Sequence, residues 1–472
     1  MTHPNDKRHL FESMPVPRAL ATMAIPTIIS QVINLVYNMV DAFFIGRTGN
    51  AYMMAATTVT LTLTMMMVAF ANLFGIGGGS LIARLMGEKK PEVARSASAY
   101  SFYGAVALSL GFSLFIGLFM TPVLDFLGAS EATLDYARQY AALVIVLGAL
   151  PSILSQTLAH MVRNAGYSAQ ASIGLSSGGI LNMLLDPLFM FVLLPRGQEV
   201  TGAAAATLIS NVIACGYLLL TYRRASARAP LSLRWRDARR LEGVYRRKLY
   251  NVGVPSAILT GLFDVANIFV NIFASAHSDL VLAGMGIVMK VERIPNAVNV
   301  GICQGMMPIV AYNYSSGNHP RMKATMHTAR LCGLTVSAVS ILLLELFAHP
   351  VTHVFLSTAK DNADKALLTV GYATLFLRIR CLASPMQFLN YHSSFCMQAM
   401  GEGRATLLHA FVRELVFYIP FMFLLDRLFG ECGLAAALPI GETCGAVFAL
   451  LLLRHILHRG QKNSARWGNA IK

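Results

Sequence analysis

Charge is scarce in this 472-residue chain: Asp, Glu, Lys and Arg make up 13% of it against 55% hydrophobic residues, with a mean hydropathy of +0.56. So little charge cannot clothe a soluble domain of this size, and the apolar residues come in long blocks. Chemical motifs are missing as well. There is no His-Glu-x-x-His, no glycine loop of the P-loop type and no nucleophile turn, which places an enzyme last among the functional classes. The seven cysteines (215, 303, 332, 381, 396, 432 and 444) contain no Cys-x-x-Cys pair and fall mostly in apolar runs, so neither a disulfide framework nor a zinc site is expected. A removable signal peptide is not expected either: the start is polar through Arg18, and the first apolar run is too long and carries no small-residue cleavage signal.

What is present is a series of about twelve apolar runs, from Ala19–Phe44 to Cys432–Leu453. Each is near the ~20 residues that a helix rising ~1.5 Å per residue needs to cross a bilayer. The chain therefore reads as an all-α polytopic membrane protein. Lys and Arg gather in alternate connections. Counting both termini and the loops on their side gives 27, ten of them between Arg223 and Lys248; the opposite side holds Arg47, Arg138, Arg196, Lys360, Lys365 and Arg427. Basic loops stay in the cytoplasm, so both termini are expected there, and the net charge of +15 reflects topology instead of nucleic-acid binding.

The basic connection separates two halves that repeat. Pro26 and Pro255, Asn38 and Asn267, and Pro91 and Pro320 are each 229 apart; Arg163-Asn-Ala-Gly166 matches Gln398-Ala-Met-Gly401, and Gly202 matches Gly433. The expected organisation is a tail (1–18), a six-helix bundle (19–222), a basic linker (223–248), a second six-helix bundle (249–458) and a tail (459–472). Six spans per repeat is an even number, so the bundles enter the membrane alike, related by a pseudo-twofold axis along its normal.

One span stands out. Between Ser172 and Phe191 lie Asn182 and Asp186, four apart and thus on one helix face, followed by Pro187. Proline cannot donate to the helix ladder, so the Met183 carbonyl should be loosened beside that face. An ionised Asp near the bilayer centre costs roughly 3 kcal/mol and is tolerated where it meets a partner, a cavity or a cation. The first span carries Gln31, Asn34, Asn38 and Asp41 at helical spacing, with Tyr37 among them, a stripe suited to water or substrate instead of lipid. In the second repeat the aligned span carries Thr260, Asp264, Asn267 and Asn271.

The Ile25-Pro26 opening, Val40-Asp41-Ala-Phe-Phe-Ile-Gly46, Gly75-Ile-Gly-Gly-Gly79 running into Arg84-Leu-Met-Gly87, and Gln304-Gly-Met-Met-Pro-Ile-Val-Ala-Tyr-Asn313 together resemble the multidrug and toxic compound extrusion (MATE) transporters, in particular their DinF-like branch. The resemblance runs from about Ala19 to Arg454. It implies a proton or sodium site in the N-terminal bundle at Asp41, Asn182, Asp186 and Thr207, with no other metal and no cofactor. The oxygen types suit this: carboxylate, amide and hydroxyl are ligands for a small hard cation, and two neighbouring acids can instead share a proton. The second repeat lacks the set, with Val270, Leu415, Ile419 and Leu438 at the matching positions.

The expected function is thus a cation-coupled antiporter of amphiphilic small molecules working by alternating access. Gln31, Asn34, Tyr37, Asn38, Asp264, Asn267 and Asn271 would line the substrate cavity and Pro26 would be the hinge. The alternative is a flippase for a lipid-linked sugar or other amphiphile. Its support is a set of charges inside spans: Lys290, Glu292, Arg293, Arg378, Arg380, Arg413 and Glu414. A monomer in a bacterial inner membrane is expected, with the lipid bilayer and its small substrates as partners and no nucleic acid.

Overall fold

In a lipid environment every backbone N–H and C=O must be satisfied within the protein, which long apolar sequences achieve by forming helices. The computed structural model describes residues 6–195, 197–356 and 363–470, and all regular structure among them is helical. Arg196 and Lys360, counted above as loop cations, lie outside the described residues, as does the side chain of Asp264.

The first repeat contains α1 (Val16–Arg47), α2 (Ala51–Gly87), α3 (Pro91–Leu118), α4 (Glu131–Leu147 bent by 48° into Ala149–Asn164), α5 (Ser168–Leu193) and α6 (Glu199–Ser226). The second contains α7 (Gly243–His277), α8 (Asp279–Ser315), α9 (His319–Leu346), and α10, whose parts Ala363–Cys381 and Ser384–Met400 meet at a 50° bend. Gly403 opens α11, and Gly430 (φ 59°, ψ −142°) breaks it from α12, which runs over 431–470. These twelve helices among the described residues match the expected spans. Length and apolarity alone identify most of them; α8 is less apolar because Lys290, Glu292 and Arg293 interrupt it.

Proline and glycine explain where the helices depart from regularity. Pro187 stays within α5, and the ladder opens into a π-helical turn directly after it, over Phe189–Leu193. Two further π turns among the described residues are Ala142–Leu147, at the bend of α4, and Val412–Tyr418, which precedes Pro420 in α11. The repeat is visible in its ends too. Gly166 (φ 93°) terminates α4 and Gly401 (φ 85°) terminates α10, each in the left-handed conformation that glycine adopts without steric penalty. A Cβ on Gly202 would lie 2.9 Å from the Phe189 and Met190 backbone, and one on Gly433 would lie 1.9 Å from the Leu425 carbonyl oxygen. In both repeats the last helix begins pressed against the end of the one before.

The chain forms two compact units. One holds the residues to Gly261 with Gln304–Thr325 and Ala399–Gly403; the other holds Leu262–Cys303, Met326–Gln398 and the residues from Arg404 onward. Within the first unit, α2 and α7 cross through glycine: a Cβ on Gly77 would lie 2.8 Å from the Leu249 oxygen, and one on Gly253 would lie 2.1 Å from the Leu73 oxygen. The segment before α1 is also built in. A short helix, Asp6–Glu12, buries Leu10 and Phe11, stacks Phe11 on Tyr312 at 5.0 Å, and offers the carbonyls of Leu10, Phe11 and Met14 to the Arg321 guanidinium at 3.2, 2.7 and 2.6 Å.

The glycine crossing predicts a sharp contrast. Gly253→Ala should destabilise the detergent-solubilised protein by about 1–3 kcal/mol, because the added methyl meets backbone that cannot rotate away. Gly111→Ala, whose Cβ meets nothing within 4 Å, should leave the thermal midpoint unchanged or slightly raised.

Candidate functional site: a buried carboxylate cluster in the first unit

Asp186 is fully buried, at 0% exposure, and neither carboxylate oxygen has a hydrogen-bond partner among the described residues. One turn earlier on the same face is Asn182, 2% exposed. Its Nδ2 donates one N–H to Thr207 Oγ1 of α6 at 3.1 Å, and its Oδ1 is buried and unpartnered. Asp41, half-buried in α1, turns an unpartnered Oδ1 inward and lies within electrostatic reach of Asp186. Two tyrosines, Tyr37 of α1 and Tyr140 of α4, lie within the field of both acids.

The four positions implied by the resemblance, Asp41, Asn182, Asp186 and Thr207, are thus neighbours drawn from three helices of one unit. Their free atoms are acceptors: oxygens of two carboxylates and one amide. A cluster whose unpartnered atoms are acceptors, two carboxylates among them, in a low-dielectric interior is suited to a small cation or a proton. Tyr140 is a member that sequence reasoning missed. It falls in α4, far along the chain from the other residues, and no spacing rule links it to them.

The remaining α1 positions behave differently. Gln31 Nε2 donates to Gln304 Oε1 at 3.1 Å, and Arg163 Nη1 donates to the same oxygen at 3.1 Å, which ties α1, α4 and α8 within the first unit. Asn38 donates to the Asn34 carbonyl on its own helix at 2.6 Å; both side chains are exposed, as the stripe requires if it faces water or substrate. Pro26 sits inside a continuous α1. Asn267 and Asn271 belong to the second unit, where Asn267 borders a cavity of about 50 Å³ and Asn271 is exposed.

That cavity accounts for most of the unexplained charges. Arg380 donates from Nε and Nη2 to Glu292 at 3.0 and 2.9 Å, and Arg413 donates from Nε and Nη2 to Glu442 at 3.0 and 2.5 Å. Glu442 also accepts from Asn390 Nδ2 at 2.6 Å, and Glu414 lies 3.6 Å from Arg413. Two forked guanidinium–carboxylate pairs therefore fasten α8 to α10 and α11 to α12, and two of the four arginines behind the flippase reading, Arg380 and Arg413, are taken up inside the unit. Arg378, by contrast, makes an exposed 3.6 Å pair with Glu345.

Comparison with known proteins agrees with this architecture. A family model described as MatE matches residues 26–188 and 255–424, one segment in each repeat. The chain is similar to the multidrug export protein MepA of Staphylococcus saprophyticus, 27% identical over 450 residues that span 95% of this chain and 96% of that protein. The Staphylococcus aureus protein of the same name is 26% identical over 449 residues, with 95% and 96% covered. Among solved structures, an outward-facing multidrug resistance MATE family transporter superposes with a TM-score of 0.89 at 21% identity, covering 98% of this chain and 99% of that one. A MOP superfamily transporter from Pyrococcus furiosus gives a TM-score of 0.88 at 20% identity, covering 96% and 98%. At that identity the structural likeness establishes the fold.

The two kinds of ion pair should separate on mutation. Glu292→Gln leaves the Arg380 guanidinium buried and uncompensated and should destabilise the protein by about 3–5 kcal/mol, whereas Glu345→Gln, at an exposed pair, should cost less than about 1 kcal/mol. Thermal unfolding of the purified variants compares them directly.

Proposed function

The chain belongs to the MatE family, a family of transporters and not of enzymes, and on that footing we propose that it is a secondary antiporter exporting amphiphilic small molecules, drugs among them, in exchange for a proton or a sodium ion. The observation that carries the reading is the state of Asp186: a carboxylate at 0% exposure, with both oxygens unpartnered, beside a second acid and an unpartnered amide oxygen. The names of the similar staphylococcal proteins support export of multiple drugs as the direction and cargo.

In this reading a cation enters between Asp41 and Asp186, with Asn182 Oδ1 and Thr207 Oγ1 as the neutral oxygens. Binding removes the repulsion between the two carboxylates, so the α1 stripe and α5 can pack more closely. If the ion is a proton, the acids share it, because two close carboxylates do not both ionise cheaply. If it is sodium, the four oxygens form its shell. Repacking of α1 about Pro26 changes the face formed by Gln31, Asn34, Tyr37 and Asn38. On α7, Asp264, Asn267 and Asn271 are the matching substrate positions. Substrate affinity falls on the outer side and the cargo leaves. The repeats 19–222 and 249–458, joined by 223–248, are the bodies that alternate, and the chain works as a monomer. Both termini lie in the cytoplasm of a bacterial cell, by the distribution of Lys and Arg. One charge moving inward releases about 2.3 kcal/mol per 100 mV, which adds to the ion's concentration gradient in driving export.

The test is transport by protein reconstituted in liposomes, with a cationic dye as cargo and imposed pH and sodium gradients applied separately. An ion that is coupled drives dye export when it is concentrated on the outer side, and Asp186→Asn abolishes that export while the variant is still recovered in the membrane. Undiminished gradient-driven export by Asp186→Asn would overturn the proposal.

A further inference from the structure

The stretch 223–248 carries ten Arg and Lys residues against two acids, Asp237 and Glu242. All ten cations are exposed, and none takes part in a salt bridge among the described residues. A topological signal needs only the charge. This segment has, in addition, a fixed shape.

Its anchor is Ser232. The Ser232 amide donates to Ser98 Oγ of α3 at 2.9 Å, its carbonyl accepts from the Tyr222 hydroxyl at 3.2 Å, and its own hydroxyl donates to Asp237 at 2.5 Å while accepting from the Arg234 amide at 3.1 Å. Tyr103 of α3 donates to the Leu233 carbonyl at 2.9 Å. Leu231, Ala238 and Leu241 are buried beneath. The segment is an ordered elbow clamped onto the flank of α3.

What the elbow presents matters more. Tyr103 lies twelve residues into α3, about 18 Å along the axis, and inside the apolar part of that helix. The Trp235 ring packs edge-on against Tyr103 at 4.8 Å and is still 50% exposed, and half-covered indoles of this kind are the rings that collect at the boundary between acyl chains and headgroups. The short helix that begins with Trp235 presents Arg236, Arg239 and then Arg240 at spacings of three and one, with the Arg239 guanidinium 5.1 Å from the indole centroid. The elbow therefore groups three exposed guanidinium groups around a half-exposed indole on the flank of α3.

We propose that this elbow is a docking surface for anionic phospholipid headgroups, the phosphate held by Arg236, Arg239 and Arg240 and the glycerol region covered by Trp235. The proposal rests on the reading that 223–248 lies on the cytoplasmic side, where anionic lipid is available. Planar guanidinium groups bind phosphate through paired N–H donors, and basic residues at an anionic surface act nearly additively. Removal of all three should weaken binding by about a hundredfold.

Native mass spectrometry and thermal unfolding of the detergent-solubilised full chain, titrated with phosphatidylglycerol, phosphatidylcholine or inorganic phosphate, test it. The triple variant Arg236→Gln/Arg239→Gln/Arg240→Gln retains seven of the ten cations, enough to hold topology, and Arg239→Gln alone serves if the triple variant does not fold. Expected is preferential binding of phosphatidylglycerol, a raised thermal midpoint in its presence, weakening by salt, and loss of all three effects in the triple variant and a partial loss in the single one. Equal binding of the two lipids, equal phosphatidylglycerol binding by variant and parent, or the full stabilisation from inorganic phosphate would each overturn it. Lipid binding in detergent requires neither ion coupling nor transport, so its failure and a failure of the antiport reading are separately visible.

Discussion

A carboxylate with no partner is hard to keep inside a membrane protein, and Asp186 is the position on which the first unit turns. Burial of a charge without compensation costs several kcal/mol, so the group must take up a cation or a proton, or the fold would gain by replacing it. The surrounding structure holds that demand open. Thr207 engages one N–H of the Asn182 amide and leaves its oxygen unpartnered, Gly202 lets α6 approach the π turn that follows Pro187, and Asp41 adds a second negative group from α1. None of these contacts neutralises Asp186.

The second unit solves the same problem in the opposite manner. It keeps the scaffold of the repeat, with Gly433 in the role of Gly202, but fills its interior with charges that pair: Glu292 with Arg380, and Glu442 with Arg413. Buried pairs of this type hold helices in register and resist removal of either partner. One repeat therefore carries an unmet electrostatic requirement that an ion gradient can act on, and the other carries a satisfied one. That asymmetry is the physical basis for proposing ion coupling in the first unit, and it comes from side chains, because the backbones follow one plan.

Sequence patterns made the local parts of this legible. The apolar runs mark the spans, the four-residue spacing marks Asn182 and Asp186 as one face, and the constant offsets mark the repeat. What remained hidden is long-range. Arg380 and Glu292 are 88 residues apart and Arg413 and Glu442 are 29 apart, and no period connects them. Glu442 itself was discernible as a carboxylate inside the last apolar run. Tyr140 carried no such signal. The polar first 18 residues read as a tail because polarity was the only cue, yet Leu10 and Phe11 are buried there and Arg321 closes over their carbonyls. The π turns after Pro187 and before Pro420 are a local change of winding beside two of the helix prolines, whereas Pro26 and Pro255 sit in continuous α-helix, a difference that proline in the sequence does not announce.

The central claim is that Asp186 and Asp41 together hold one exchangeable cation. Infrared difference spectroscopy of the purified protein, titrated with acid and separately with sodium, observes the carboxyl groups themselves. The account predicts a carboxylate band that is lost on protonation or shifted by sodium in the parent and is missing from the difference spectrum of Asp186→Asn. Identical difference spectra for parent and variant would contradict it.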